Sequence, residues 1–446
     1  MKKTTRNLIV ILSAIIIVLF TVFVLYSKSN LFGQKDSEIN PFSNGGSERN
    51  MLVVLSDLHL GADIAYAECN ENRDSLQKLL KQISASPNVK ELVIAGDLLD
   101  EWFVPATTDT YAGKDQRDFV QRIAKTNKGV IDAFNNIIRD GKILVTYVPG
   151  NHDLTITAEN IDLILPGINQ ARDKEQGLGT YSPADYPKIA IEHSHRYNFF
   201  CAPDPLSNQD VAPGTIMPPG YFFTRIAALH VIQGDPAPGD TMPVVTPNLS
   251  GGTSQSLLFG YWKLWEWAVN NLPIKNKLDE KVIVTNVDGF TKTYSVNDLL
   301  PYQQTAGGKL DVNLYKGIQD TWNQRQALNH VSVKIPVAQA IEKASSAEET
   351  DNQAVVQYFM NPNSDKRIVV FGHTHVAKII SSNNSNGQKS IYANSGTWID
   401  HNPKLTTMNF VVITPQSAEA SSQTSVKLYN FEDEVVTEMT EDFLRY

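Results

Sequence analysis

Five times along this chain, a short apolar run rich in β-branched residues stops abruptly at a cluster of Asp, His or Asn. The runs are MLVVL (51–55), ELVIAGD (91–97), KILVTYVPGNHD (142–153), KIAIEH (188–193) and RIVVFGH (367–373). An apolar run of this length, bounded by polar residues, reads as a strand buried on both faces. Helical patterns at 75–83 and 118–140 separate several of the runs. Strand, helix, strand at this spacing predicts an α/β fold. In such folds ligands collect beyond the carboxyl ends of the strands. The polar clusters fall at those ends. They are Ser56-Asp57-Leu58-His59, Gly96-Asp97-Leu98-Leu99-Asp100, Gly150-Asn151-His152-Asp153, His193-Ser194-His195 and Gly372-His373-Thr374-His375.

Three further apolar runs, 389–399, 408–414 and 425–431, predict a second mixed sheet packed on the first to form a sandwich flanked by helices. Between the fourth and fifth runs lies a different region, 201–366. It opens with a Pro/Gly-rich stretch read as loop, then shows helical patterns at 255–272, 311–328 and 337–344. A strand pair at 281–296 turns at Asp288-Gly289. This reads as a largely helical insertion, a possible cap, between core segments 51–200 and 367–446. Trp262, Trp265, Trp267 and Trp398 read as core, and His230 and His330 as structural.

Ahead of the first strand, Leu8–Tyr26 carries no charged residue and is long enough to cross ~30 Å of hydrocarbon as a helix. Lys2, Lys3 and Arg6 precede it, which orients the rest of the chain outward. The expectation is an N-terminal transmembrane anchor (1–26), with a cleaved signal peptide as the alternative, a flexible linker (27–50) and a single-pass membrane protein with its main domain outside the cytoplasm. A net charge of −9 disfavours nucleic acid as partner. Two cysteines, Cys69 and Cys201, exclude a disulfide scaffold and leave either two free thiols or one bridge.

Any one polar cluster is a weak signal. Five of them offer carboxylate, amide and imidazole donors together and no thiolate, a mix suited to two adjacent Mn²⁺, Zn²⁺ or Fe ions. In order, DLH, GDxxD, GNHD and GHTH resemble the calcineurin-like metallophosphoesterases. The GDLLDEW stretch, with Asp100 and Trp102, looks most like the branch containing UDP-2,3-diacylglucosamine pyrophosphatases. The resemblance implies that Asp57, His59 and His375 hold one metal, and Asn151, His193 and His373 the other, with Asp97 bridging both. It implies that His152 binds substrate phosphate and assists the leaving group. Asp153 either orients His152 or serves as a turn or N-cap residue. His193 is favoured over His195 as ligand. Asp100, His195 and His401 are candidate supporting or substrate contacts. The implied activity is hydrolysis of a phosphate ester or pyrophosphate by metal-activated water, on a phosphorylated small-molecule or lipid-linked substrate. Alternatives are an extracellular nucleotide phosphodiesterase or nucleotidase, a protein phosphatase, or an inactive binding protein on the same fold.

Overall fold

In the computed structural model, residues 40–175, 177–403, 405–417 and 422–445 are described. The expected membrane helix at 8–26 and the linker up to residue 39 lie outside these. Among the described residues no helix is long and apolar enough to cross a membrane.

The first apolar runs become β1 (Met51–Leu55), β2 (Val89–Ala95) and β3 (Leu144–Val148), followed by a two-residue β4 (Asn169–Gln170) and by β5 (Ile189–Glu192). Between them lie α1 (Arg73–Ala85), α2 (Gln116–Thr126), α3 (Lys128–Asp140) and α4 (Ala158–Ile164). The stretch 118–140, expected as one helical pattern, is thus two helices broken at Asn127. The Asn127 amide donates to the carbonyls of Ile123 and Gly61, ending α2 and tying the break to the loop after β1.

The insertion contributes α5 (Pro219–Ile232), α6 (Gly252–Asn271), the short strands β6 (Ile283–Val284), β7 (Thr293–Tyr294), β8 (Tyr302–Gln303) and β9 (Leu310–Asp311), then α7 (Ile318–Leu328), α8 (Val337–Glu342) and α9 (Ala347–Ala354). Helix α5 sits in the stretch read as loop. Its prolines start the helix rather than prevent it, because a first-turn Pro loses no hydrogen bond. The expected helix over 311–328 begins only at Ile318, since Leu310–Asp311 pairs as a strand. The turn at Asp288-Gly289 is as expected, with φ positive at both residues (47° and 84°).

The chain then returns through β10 (Ile368–Phe371), β11 (Lys378–Asn383), β12 (Lys389–Asn394), β13 (Asn409–Thr414), β14 (Thr424–Glu432) and β15 (Val435–Leu444). The larger sheet has the order β15-β14-β13-β1-β2-β3-β4, the smaller β11-β12-β10-β5. Both are mixed: β1 pairs parallel with β2 and antiparallel with β13, and β10 pairs parallel with β5 and β12. The three C-terminal runs therefore do not form the second sheet by themselves. The fourth and fifth runs found it, β12 joins them, and β13 and β14 extend the first sheet. The polar strands β11 and β15 had no apolar signature.

Period-two alternation explains the uninterrupted apolar runs. Leu52 and Val54 pack between the sheets with Ile191, Val370 and Ala393, while Val53 and Leu55 face the helices. Each fully buried Val, Leu or Ile stabilises by about 1.5–3 kcal/mol.

Residues 41–50 are not a free linker. Phe42 is 2 % exposed and stacks on Phe410 at 5.7 Å, and its carbonyl accepts from Ser86 Oγ. The insertion is not a separate lobe either, since residues 41–446 form one unit. Two buried arginines fasten it to the core, Arg225 and Arg196, and a third, Arg325, ties its own segments together. Arg225 of α5 donates to the carbonyls of Val104, Pro105, Ala106 and Thr108. Arg325 of α7 donates to the Ala202 and Pro203 carbonyls, and Arg196 of the core reaches the Asn329 carbonyl.

Candidate metal centre

All seven predicted ligands lie in loops just past the carboxyl ends of parallel strands. Asp57 and His59 follow β1, Asp97 follows β2, Asn151 follows β3, His193 follows β5, and His373 and His375 follow β10. Five of the seven have left-handed backbones: φ is 55° at Asp57, 45° at His59, 51° at Asp97, 72° at His373 and 58° at His375. Such conformations cost of order 1–3 kcal/mol each and persist only where the surroundings enforce them. Here the loops lock one another. The His373 N–H donates to both Asp57 carboxylate oxygens (3.0 and 3.1 Å). The Leu58 and His59 N–H groups donate to the Asp97 carbonyl (2.9 Å each), and the His152 N–H donates to Asp97 Oδ1 (2.8 Å). Two glycines permit this closeness. A Cβ at Gly96 would lie 2.3 Å from His193 Nδ1, and one at Gly150 would lie 2.1 Å from Asp97 Oδ1.

Two donor groups result. Asp57, His59 and His375 converge, with His375 Nε2 3.1 Å from Asp57 Oδ1 and 3.2 Å from His59 Nε2. Asp57, Asp97 and His193 form the other, with His193 Nε2 3.1 Å from Asp97 Oδ2 and 3.0 Å from Asn151 Oδ1. Asp97 Oδ2 is also 3.6 Å from His59 Nε2, so one carboxylate reaches both groups. The His373 ring packs 5.2 Å from that of His193. Burial opposes ionisation of Asp57 and Asp97, yet His193 and its neighbours hold both carboxyls below the usual range. His193 is pushed up to about 9: burial opposes this, and Asp97 and Asp57 overcome it. His373 is pushed down to about 3 by burial and by His193. Buried ionised carboxylates facing imidazoles, with no thiolate, fit divalent cations.

Residues 51–216 match the calcineurin-like phosphoesterase family. Members of that family are generally metal-dependent phosphoester hydrolases. Comparison with curated proteins finds no match. Among solved structures, a single mutant of Vps29 from Entamoeba histolytica is similar over 89 % of this chain and 99 % of that chain, at 10 % identity and a TM-score of 0.29. That likeness is too slight to carry an argument. The family match ends before His373 and His375, and strand β10, paired parallel with β5, brings them back to the same donor cluster.

Around the ligands, the structure departs from expectation at several residues. His152 Nδ1 is 2.8 Å from Asp100 Oδ1, and its ring stacks on Trp102 at 4.9 Å. The other Asp100 oxygen is 3.0 Å from His59 Nδ1. Asp100, not Asp153, therefore orients His152. Asp153 is a turn residue: its carboxylate accepts from the N–H groups of Gly150, Leu98 and Leu99, clamping the second and third ligand loops together. His195 faces away from the cavity, its Nε2 2.9 Å from the Gly177 carbonyl, and burial and His193 hold its pKa well below the usual range. His401 is exposed and does not line the cavity; its neighbour Asn402 donates to the His375 carbonyl instead.

Two contributors had no motif. Glu68, in the loop after β1, places Oε2 3.4 Å from His59 Nδ1. Asp351 of α9 accepts from Thr374 Oγ1 (3.1 Å) and Asn394 Nδ2 (3.3 Å) and pairs with Lys378 (2.6 Å), holding the His373–His375 loop from the insertion side. Each is a single acidic residue in a loop or short helix, without a local pattern to mark it.

A cavity of about 310 Å³ opens onto the site. Its floor includes Asp97, Asn151, His152, His373 and His375, and α5 and α6 supply much of its wall. Trp262, Trp265 and Trp398 are core as expected, but Trp267 is 53 % exposed and lines this cavity. His230 bonds to the Pro273 carbonyl and His330 to Glu175, and neither lines the cavity. Cys69 and Cys201 are both free.

Proposed function

We propose that the chain is a dinuclear phosphoesterase that hydrolyses a phosphate ester or anhydride, tethered to a membrane through Leu8–Tyr26 with its catalytic domain outside the cytoplasm. The observation that carries the catalytic reading is the convergence of donors from five strand-end loops, with Asp97 within reach of both groups. Asp57, His59 and His375 would hold one ion, Asn151, His193 and His373 the other, and Asp97 both. Two such ions, when bound, would supply an activated water and offset charge on the phosphoryl oxygens. The chain's own residues do the rest. Asp100 fixes His152 through Nδ1, which leaves Nε2 to protonate the departing oxygen. Trp102 holds the His152 ring plane from one side, and the insertion wall shields the site from bulk water. The GDLLDEW stretch alone supports kinship with the UDP-2,3-diacylglucosamine pyrophosphatase branch.

Elemental analysis of protein purified without chelator, combined with p-nitrophenyl phosphate hydrolysis, tests the catalytic reading. Two ions per chain and chelator-sensitive turnover are expected. One ion at saturating Mn²⁺ or Zn²⁺ would defeat the dinuclear assignment. Protease added to intact cells should cut within 27–39; full protection until lysis would place the domain in the cytoplasm.

A further inference from the structure

The cavity beside the metal ligands has an unusual balance for a phosphate site. Its walls are mainly apolar, with Trp102, Phe223, Leu264 and Trp267 interrupted by Asn198, Thr224 and Ser345, and among the described lining residues there is neither lysine nor arginine. A smaller recess on the other side of His373 is lined by Ser345, Ser346, Thr350 and Thr374 and again holds no cation. Two metal ions can balance one phosphate. A second phosphate, or a phosphopeptide's flanking charge, would find hydroxyls there but no cationic side chain in either pocket, and burying a charge without a counter-ion is costly.

Beyond the Thr224 and Ser345 hydroxyls the cavity offers a nucleobase edge little to pair with, since the Asn198 amide is already committed. It donates to the Ala344 carbonyl and accepts from the N–H groups of Phe200 and Cys201. The apolar lining also continues outward. On α5, Phe223, Ala227 and Val231 follow at helical spacing, and Val231 is 54 % exposed. On α6, Leu264 is half-buried and Trp267 stands half in water. A large indole left this wet beside a reaction site is apolar surface available for burial.

We propose that the substrate carries one phosphate and a long, uncharged hydrocarbon group, the phosphate at the metal centre and the hydrocarbon between α5 and α6. This rests on the phosphoesterase reading and narrows it to amphiphilic phosphate esters. Neither a nucleoside diphosphate derivative nor a phosphoprotein fits the same walls.

The test uses n-alkyl phosphonates of increasing length, which cannot be hydrolysed, titrated calorimetrically into the Mn²⁺-loaded chain. Hydrolysis of p-nitrophenyl phosphate, n-alkyl phosphates, a nucleoside monophosphate and a nucleoside diphosphate sugar is measured alongside. Affinity should rise about threefold to fourfold per added methylene until the cavity is filled. Trp267→Ala and Leu264→Gln should each flatten that slope; both side chains are partly exposed, and thermal melting checks that the variants fold. Affinity independent of chain length, with p-nitrophenyl phosphate still turned over, would overturn the substrate class and leave the phosphoesterase reading standing. Tighter binding of the nucleoside diphosphate sugar than of any phosphonate would do the same. A clear chain-length slope with no ester hydrolysed under any metal would instead sink the phosphoesterase reading and keep the pocket.

Discussion

The floor and the wall of this site are built on opposite physical principles. The floor is polar and strained: five ligand residues hold left-handed backbones, and their loops are cross-tied by backbone N–H groups donating to Asp57, Asp97 and Asp153. The wall is apolar and regular. Helices α5 and α6 supply much of it, with Arg225 fastening α5 to the core through four carbonyls of the 104–108 loop. The floor must hold donor atoms to within tenths of an ångström, because coordination is directional. The wall needs only the right chemistry and volume. The comparison teaches that reaction type and substrate preference have separate structural origins here, and that each can be altered without the other.

Four substitutions test that separation, taken in falling order of expected effect on small-ester turnover. Asp97→Asn should abolish turnover and empty the metal site, because the Asp97 carboxylate reaches His193 of one donor group and His59 of the other. Retention of two ions in that variant would show that the groups do not depend on it. His152→Ala should keep both ions and lose about 10²–10⁴-fold in kcat, the usual worth of general acid–base assistance. The loss should shrink for leaving groups as good as p-nitrophenolate, and an emptied site would mean that His152 is itself a ligand.

Asp100→Asn should cost about 10–100-fold in metal affinity or rate, the range for residues that orient a ligand or an acid. It touches both His59 and His152, so a pH–rate profile should shift with the rate; an unchanged profile with wild-type rate would remove Asp100 from the mechanism. Arg225→Met belongs to the wall. It should leave the ion count per folded chain unchanged and lower the stability to urea by about 3 kcal/mol or more, since it strands several buried carbonyls. A variant of full stability would mean that α5 is held by apolar packing alone, whereas loss of metal in the folded state would erase the distinction between floor and wall.

The legible part of the molecule is the part where local chemistry and local structure coincide. An apolar run buried on both faces must be a strand, and Asp, His and Asn at its carboxyl end must sit on the rim. Hence the ligand loops, the α/β class and the Asp288-Gly289 turn could all be read along the chain. Long-range pairing could not. That β13 pairs with β1 rather than with β12, or that Asp351 of the insertion braces Thr374, depends on contacts between residues far apart, which leave no period or motif behind.

The same reasoning divides the site residues. The sequence marked the strand-end clusters that hold the candidate ligands, with His193 favoured over His195, and the family resemblance implied which side chains would ligate. Only the tertiary structure decided what the neighbouring acids do. Along the chain Asp153, next to His152, is the candidate to orient it, yet the turn after β3 points Asp153 at three backbone N–H groups, and the turn after β2 brings Asp100 to the imidazole. It also decided that Trp267, on the same helix as the buried Trp262 and Trp265, stands at the cavity mouth. Five residues on from Trp262 and two from Trp265, it falls on a different flank of the helix. Which flank met a neighbour was settled only when α6 packed.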